Sequence, residues 1–326
     1  LNPEVAEIWL VKGHTYTLTS AYGGGQNAFP VIGSARIVTF FGSGATLARS
    51  SSAHFRFFRI DGGQLTLNSL TLANGSIDES VVPTDRRGGA VYVSGSNSGL
   101  TFQDCTFRDN TVLGITTGSV YGGAVDAVST AAPLVFRSSL FEGNSAREGG
   151  AIHVAGVALL QLVGCTFSQN YARSNGGAVE ALGGTITIDS CTFTGNGRLP
   201  GNSGLTVRGG AIYNNGTTLT VSNSAFNANE AVQGAVAVKT LHTQRFSFRS
   251  CAFTHNLTSP GSYSLQAENP ALNGGIDARL CWWGDPGGPG GYGPGSGDRI
   301  SSHVAWDPFY PTEEALHTGT AECPLS

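Results

Sequence analysis

The sequence predicts an all-β fold, a single right-handed parallel β-helix of about nine or ten coils with capped ends. Two motifs, repeated together, indicate it. The first is Gly-Gly-Ala or Gln-Gly-Ala, and it begins at positions 88, 122, 149, 176, 209 and 233. The second is Phe-x-x-Asn, and it begins at positions 107, 141, 167, 193, 226 and 253. Because the two motifs advance together, they belong to one repeating unit, and repeats of this kind form solenoids.

The segment between the two motifs supports strands. Apolar residues recur there at every second position, as at Leu134/Phe136 and Ile186/Ile188, and a period of two is typical of strands. Each unit has room for about three short strands and none for a helical crossover. Such units bury their apolar sides only by stacking on their neighbours, with coils about 4.8 Å apart. Right-handed winding is the sense expected for parallel crossovers.

The motifs divide the chain into three parts. We expect an N-terminal cap with the first coils at 1–64, the repeat body at 65–285, and a Gly-rich C-terminal cap and tail at 286–326. One short helix is predicted at Thr312–His317. Trp282, Trp283 and Tyr292 are predicted to close the C-terminal end, with stacking on sugars as the alternative. An uncapped end would expose a strand edge, so self-assembly through coil ends is a further expectation.

Composition narrows the function. The net charge is −4, which gives no reason to expect nucleic acid as a partner. No run of roughly 18 apolar residues exists, so no membrane span is predicted. The 47 glycines lack a three-residue period, which argues against a collagen-like chain. The chain starts at Leu1 without methionine, and we take this as an indication of a processed protein that is extracellular or on the cell surface.

Four of the cysteines are predicted to be buried packing residues. Cys105, Cys165, Cys191 and Cys251 recur in one setting, and serine takes the same place at positions 139 and 224. A position that accepts either residue is a small buried site, so these four thiols are predicted to be inert and stacked. Cys281 and Cys323 are the one pair considered for a disulfide.

One position of the first strand carries varied polar side chains. The aliphatic residue after each Gly-Gly-Ala should point inward and the next residue outward, which predicts a column of Tyr92, Asp126, His153, Glu180 and Tyr213. The alanines of the motif, at 90, 124, 151, 178 and 211, would form a shallow floor beside it. The preceding loops are long at 75–87, 111–121 and 197–208 but short at 145–148 and 171–175. We therefore expect a cleft over the middle of the column, edged by Arg87, Arg147, Arg173 and Arg208.

Two chemistries fit this column. Asp126 and Glu180 lie two coils apart, about 9.6 Å by strand spacing, at the upper edge of the roughly 6.5–9.5 Å of an inverting glycosidase pair. In the other chemistry, His153 abstracts the proton α to a uronate carboxylate, while a tyrosine donates a proton and arginines neutralise the substrate. The candidate catalytic residues are Asp126, His153 and Glu180, and the candidate substrate-binding residues are Tyr92, Tyr213, Arg147, Arg173 and Arg208.

A plainer interpretation stays open beside these chemistries. Vertical neighbours of opposite charge stabilise stacked strands, so the column is also consistent with surface charge alone. Three ligands on adjacent coils are too far apart for a shared ion at about 2.1 Å. No metal site or cofactor is predicted, with calcium the one ion left open.

The repeat resembles a known pattern. Gly-Gly-Ala-[Ile/Val] followed by Phe-x-x-Asn is similar to the repeat pair of chlamydial polymorphic outer membrane proteins. More broadly, residues 65–285 resemble the right-handed parallel β-helix proteins of the pectate-lyase-like superfamily. The ends, KGHTYTLTSAYGGG at 12–25 and CWWGDPGGPGGYGPGSGD at 281–298, resemble a looser bacterial family of exported β-helix proteins. This resemblance implies a β-helix, and in relatives that act on polysaccharides the substrate groove lies on such a strand face.

Two classes of function follow. The repeats favour an exported or cell-surface protein with a structural, adhesive or filament-forming role, whose partner along the first-strand face is a polysaccharide or surface glycan. The alternative is a carbohydrate-active enzyme, either a polysaccharide lyase or an inverting glycoside hydrolase, that uses the Asp126/His153/Glu180 column. Fold does not choose between them, because this architecture carries many activities.

Overall fold

The computed structural model describes residues 4–78, 86–114, 120–198, 207–239, 245–268 and 275–318. Successive coils pair in parallel, and their strands stack into three long ladders. The predicted parallel β-helix is therefore confirmed.

The first-strand ladder follows the Gly-Gly-Ala motif. Its strands are Ile32–Gly33, Phe58–Asp61, Val91–Ser94, Val125–Val128, Ile152–Val163, Val179–Asp189, Ile212–Ser222, Ala237–Lys239, Leu265–Ala267 and Gly297–Ile300. Pro289–Gly291 pairs with the last of these strands.

The second-strand ladder begins in the predicted N-terminal cap and ends in the predicted C-terminal cap. Its strands are Glu4–Trp9, Arg36–Arg49, Gln64–Ala73, Gly99–Gln103, Leu134–Arg137, Ile152–Val163, Val179–Asp189, Ile212–Ser222, Phe246–Arg249, Ile276–Asp277 and Val304–Ala305. Three long strands continue from the first ladder into this one. The ladder runs without a break past residue 64, and the proposed domain boundary there stays a prediction.

The third-strand ladder carries the Phe-x-x-Asn motif. Its strands are Thr15–Leu18, Arg36–Arg49, Gln64–Ala73, Thr106–Arg108, Leu140–Glu142, Thr166–Ser168, Thr192–Thr194, Ala225–Asn227 and Ala252–Thr254. Six two-residue strands come directly after strands of the third ladder and form two small sheets: Ser76–Ile77, Thr111–Val112, Tyr171–Ala172, Gly197–Arg198, Glu230–Ala231 and Leu257–Thr258.

Aromatic rings fill the interior beside the third strand. The rings of Phe107, Phe141, Phe167, Phe193 and Phe226 stack in sequence, with centroids 4.7–4.8 Å apart and planes within 4–6° of each other. Each of these rings is fully buried. Because this spacing matches the distance between strands, one phenylalanine per coil gives continuous ring contact along the axis.

An asparagine ladder runs parallel to the rings. In Asn144 the backbone N–H and Nδ2 both donate to Oδ1 of Asn170, at 3.1 and 2.9 Å, and Nδ2 also donates to the carbonyl of Phe107 at 2.9 Å. The same pattern repeats from Asn110 to Asn256. These amides satisfy the backbone at a buried bend, where an unpaired polar group is costly.

Asp298 ends the ladder and predicts a pH effect. Its carboxylate accepts the backbone N–H and Nδ2 of Asn256. Burial raises the pKa of Asp298 to about 6, although the hydrogen bonds from Asn256 oppose this. A carboxyl group whose pKa is raised by folding stabilises the protein fully below its unfolded pKa of about 3.9, and that stability is lost as pH rises through the folded value. A shift of roughly two pKa units corresponds to about 3 kcal/mol.

Asp298→Asn is therefore expected to stabilise the protein at pH 7.5 by up to about 3 kcal/mol. The substitution removes the buried charge, and its single amide oxygen can accept both Asn256 donors after a small reorientation, as Oδ1 of Asn170 accepts both donors of Asn144. Urea unfolding at about pH 4 and pH 7.5 measures this effect. The unfolding free energy of the variant should differ less between the two pH values than that of wild type. The half-buried Asp285, whose pKa is lowered mainly by the Ser296 hydrogen bond, supplies the control, and Asp285→Asn should bring no gain at pH 7.5. Equal stability of Asp298→Asn and wild type at pH 7.5 would contradict the prediction.

The cysteine and serine positions also form a buried column. Cys105, Cys165, Cys191 and Cys251 are buried and free, as predicted, and the Cys105 N–H donates to Oγ of Ser139 at 3.2 Å. Burial raises the pKa of the Cys105 thiol to about 11, so the thiol stays protonated at neutral pH. Cys281 is a buried free thiol, and Cys323, its predicted partner, lies outside the described residues.

The C-terminal segment closes its end of the β-helix. Trp283 is fully buried against Phe253, with ring centroids 4.7 Å apart. A helix at Glu313–Thr318, one residue later than predicted, packs through Ala315 on a cluster that contains Trp282 and Tyr310. In the ranges that the structure describes, no helix has the length and apolar character to cross a membrane.

Candidate functional site

The predicted column exists in the predicted register. Tyr92 pairs with Asp126, Asp126 with His153, His153 with Glu180, and Glu180 with Tyr213 on successive rungs of the first-strand ladder. Regular pairing fixes this register, because a slip of one residue would exchange the two faces of each strand.

The predicted open cleft is wrong, because the column is buried. Asp126 is 0% exposed, His153 and Glu180 are 1% exposed, and Tyr92 and Tyr213 are 9% and 6% exposed. The residues that directly precede the Gly-Gly pairs form a second column of parallel bridges, Arg87, Tyr121, Glu148, Asn175 and Arg208. The first glycine of each pair has a positive φ, 63° at Gly149, so the chain turns there. Hydrogen bonds from Arg87 to Asp126 and from Asn175 to Glu180 hold this second column against the first, so it covers the first column.

The predicted alanine floor is also wrong. The alanines at 90, 124, 151, 178 and 211 belong to the hydrophobic core. The carbonyl of Ala124 accepts the backbone N–H groups of both Ala90 and Val91, each at 2.9 Å. This bulge breaks the simple alternation of the strand, so the alanine and the next aliphatic residue both face inward.

Asp126 lies at the centre of an ionic network. Its Oδ1 is 2.5 Å from Nδ1 of His153, and its Oδ2 accepts Nη1 of Arg87 at 3.1 Å. Burial acts to lower the pKa of Arg87, but the charge of Asp126 and its hydrogen bond outweigh this and raise the pKa. Arg87 also lies over the ring of Tyr121 at 4.9 Å. This buried carboxylate is thus paired on both oxygens, as burial of a charge requires.

His153 and Glu180 face each other across a gap. Nε2 of His153 is 4.0 Å from Oε2 of Glu180, and among the described residues neither atom has a hydrogen-bond partner. The Tyr121 ring stacks on the imidazole, with centroids 4.2 Å apart, and Nδ2 of Asn175 donates to Oε1 of Glu180 at 3.3 Å. Burial, with the charges of Glu148 and Asp126, raises the pKa of Glu180 well above its usual value, and the Asn175 hydrogen bond opposes this.

The tyrosines close the two ends of the column. Tyr92 packs beneath the guanidinium groups of Arg56, Arg59 and Arg87, at 5.2–5.9 Å. Arg208 lies over Tyr213 at 5.2 Å and forms an ion pair with Glu268. These guanidinium–ring contacts bury the tyrosines and hold the arginines in place.

The other predicted edge arginines lie differently. The Arg173 N–H donates to the carbonyl of Arg147 at 3.0 Å, and Arg173 lines a separate cavity of about 70 Å³ with Thr111 and Tyr171. Their role in substrate binding stays a prediction. The long loops expected to flank the cleft fall largely at 79–85, 115–119 and 199–206, outside the described residues.

Tyr121, Glu148 and Asn175 were missed as site residues. A signal was present in the sequence, because the residue before each Gly-Gly pair varies in step with the column residue five positions later. Within the described ranges, no group of three His, Cys, Asp or Glu side chains is arranged to hold a metal ion. The arrangement can store and share protons, since an imidazole lies between two buried carboxyl groups.

Comparison with known proteins identifies the fold family. Residues 90–274 match the family described as the right handed beta helix region, which is more than half of the chain. Comparisons with curated proteins and with solved structures return no match. The stacked parallel coils and this match together show that the chain belongs to the right-handed β-helix family.

Proposed function

We propose that this protein is an exported, cell-surface β-helix rod with an adhesive role, and that it binds polysaccharide through an exposed lateral face. The burial of Asp126, His153 and Glu180 is the observation that carries this proposal. A catalytic site must admit its substrate, whereas these side chains are 0–1% exposed and contact Arg87, Tyr121 and Asn175. The continuous phenylalanine and asparagine ladders favour a stiff rod.

The second-strand ladder supplies the binding face. One outward column on it contains Thr66, Thr101, Val135, Gln161, Thr187 and Thr220 in register, and these residues are half-buried. Arg137 lies exposed beside the column and its Nη2 donates to Oε1 of Gln161 at 3.4 Å. Repeated hydroxyl and amide groups on a flat surface suit the hydroxyl groups of an extended glycan. This face replaces the first-strand face, whose column is buried.

A binding assay tests the proposal. The purified protein would be incubated with a panel of insoluble neutral and uronate polysaccharides, beside the triple variant Thr101→Ala/Arg137→Ala/Gln161→Ala, whose positions lie on three successive coils. We expect at least one polysaccharide to bind and the triple variant to bind it about tenfold more weakly, about 1.4 kcal/mol. Arg108→Ala/Thr166→Ala, on the exposed third-strand face, is the matched control and should bind like wild type. Equal binding by the triple variant, or no binding to any member of the panel, contradicts the proposal.

The enzymatic alternative has one observation in its favour. His153 is oriented by Asp126, and burial raises the pKa of Glu180, a combination that is common at acid–base sites. The protein would be incubated with the same panel, and the release of reducing ends and the ultraviolet absorbance of unsaturated uronates would be measured. These two readouts distinguish an enzyme from a binding protein. We expect neither product. Turnover that disappears in His153→Ala would establish the enzyme instead.

A further inference from the structure

We infer that His153 and Glu180 share one buried proton in the folded protein, and that this shared proton makes the β-helix more stable in acid than in alkali. The inference concerns the column itself and holds whichever function the protein has. It rests on the hydrogen-bond partners, the burial and the charges around the two side chains.

The hydrogen-bond partners fix where protons are needed. Asp126 is an acceptor, so Nδ1 of His153, 2.5 Å from Oδ1, must be the donor. Asn175 donates to Oε1 of Glu180. Only Nε2 of His153 and Oε2 of Glu180 then remain, 4.0 Å apart and buried without another partner among the described residues. Without a proton, two lone pairs face each other in a site that is nearly closed to solvent, which is costly.

One proton resolves this conflict in either of two ways. It makes His153 an imidazolium that donates to the carboxylate, or it makes Glu180 a carboxylic acid that donates to the imidazole. In both cases the 4.0 Å separation has to shorten by about 1 Å for the hydrogen bond to form. The two forms have the same total charge, so the proton belongs to the pair.

The surrounding charges favour keeping the proton. Arg87 and Asp126 form an ion pair and cancel, so the column is neutral only when the proton is present. Glu148, on the bridge column that faces Glu180, adds negative charge and raises the pKa of Glu180 further. On the far side, Arg208 stacks on Tyr213 and is paired with Glu268. Arg87 and Arg208 are thus each paired with a carboxylate other than Glu180.

The sign of the pH effect follows. In the unfolded chain the glutamate releases its proton near pH 4.3 and the histidine near pH 6.5, whereas the folded pair retains one shared proton to higher pH because the pKa of Glu180 is raised. Between these two pH values the folded and unfolded states bind equal numbers of protons, and above about pH 6.5 the folded state binds one more. The stability from the pair is therefore complete between about pH 4.3 and 6.5 and is lost as pH rises through the raised pKa.

Glu180→Gln tests the inference directly. Its amide oxygen keeps the Asn175 hydrogen bond, and its amide N–H donates to Nε2 of His153 as the shared proton does, but glutamine does not titrate. Urea unfolding of the full chain would be followed from about pH 4.5 to pH 8.5 for wild type and for Glu180→Gln. Glu142→Gln, a half-buried glutamate on the third-strand ladder, is the matched control.

We expect the wild-type unfolding free energy to fall as pH rises from about 6.5 to 8.5. Glu180→Gln should be more stable than wild type at pH 8.5, and over this interval its unfolding equilibrium constant should change at least tenfold less. Glu142→Gln should follow wild type, and Asp298 contributes equally to all three proteins. A Glu180→Gln slope equal to that of wild type between pH 6.5 and 8.5, or failure of this variant to fold at pH 6.5, overturns the inference.

Nitrogen NMR of the histidine ring gives an independent readout. With ¹⁵N-labelled histidine, the resonances of His153, assigned by comparison with His153→Gln, report which ring nitrogen carries a proton. We expect Nδ1 to stay protonated throughout the pH range and the Nε2 signal of wild type to move at the pH where stability falls. An Nδ1 without a proton at neutral pH also overturns the inference.

Discussion

Gly150→Ala is expected to prevent folding or to lower the unfolding free energy by at least about 4 kcal/mol, a loss typical only of severe packing defects. A Cβ atom at this position would lie 2.0 Å from the carbonyl oxygen of Gly177 and 2.6 Å from that of Tyr171. Both oxygens belong to backbone of the neighbouring coil and cannot rotate away. The second glycine of the repeated pair is thus required by the close approach of two coils.

Far-ultraviolet circular dichroism and urea unfolding measure this effect. Gly216→Ala is the control, because a Cβ at Gly216 meets no atom within 4 Å although φ is 76°. The control carries only the strain of a left-handed backbone, about 1 kcal/mol. A loss in Gly150→Ala no larger than in the control would show that the coils can separate at this point.

Asn170→Ala is expected to cost about 4 kcal/mol of unfolding free energy, since each buried polar group left unpaired costs about 1–3 kcal/mol. The side chain accepts the backbone N–H and Nδ2 of Asn144, at 3.1 and 2.9 Å, and donates to Phe141 and Asn196, at 2.8 and 2.9 Å. Asn170 is fully buried. Alanine leaves the Asn144 N–H and the Phe141 carbonyl without these partners.

Asn227→Ala is the control, because it removes an asparagine that lies outside the buried ladder. Asn227 is exposed on the third-strand ladder, where its Oδ1 accepts Thr254 at 3.1 Å, and its replacement should change stability by about 0.5 kcal/mol or less. Urea unfolding of both variants under one set of conditions gives the comparison. Similar losses in the two variants would mean that the ladder adds no more than surface contacts do.

The repeated ladders were predictable from the sequence because each depends on one position of a repeat. The pair Phe167 and Asn170 recurs with the same spacing in six successive coils, and stacking in register brings such residues together whatever the length of the loops. The inert setting of Cys105 was predictable for the same reason. The register of His153 between Asp126 and Glu180 also followed, since parallel pairing joins equivalent positions.

The exposure of that column was not predictable from strand alternation. Alternation states only which side of a strand a residue is on, and His153 is indeed on the side away from the hydrophobic core. Whether that side meets water depends on Tyr121, Arg87 and Asn175, which come from other coils and from the far arm of a turn. Their positions follow from the left-handed glycine at the turn and from contacts between coils, which no single repeat contains.

The sequence by itself therefore determined the β-helix, its register and the residues that share each column, because these follow from the period and from stacking of equivalent positions. Only the tertiary structure decided that Asp126, His153 and Glu180 are buried, with Asp126 bonded to Arg87 and Glu180 to Asn175. Burial is a property of everything that surrounds a side chain. The same property converts a predicted cleft into a closed proton-sharing network.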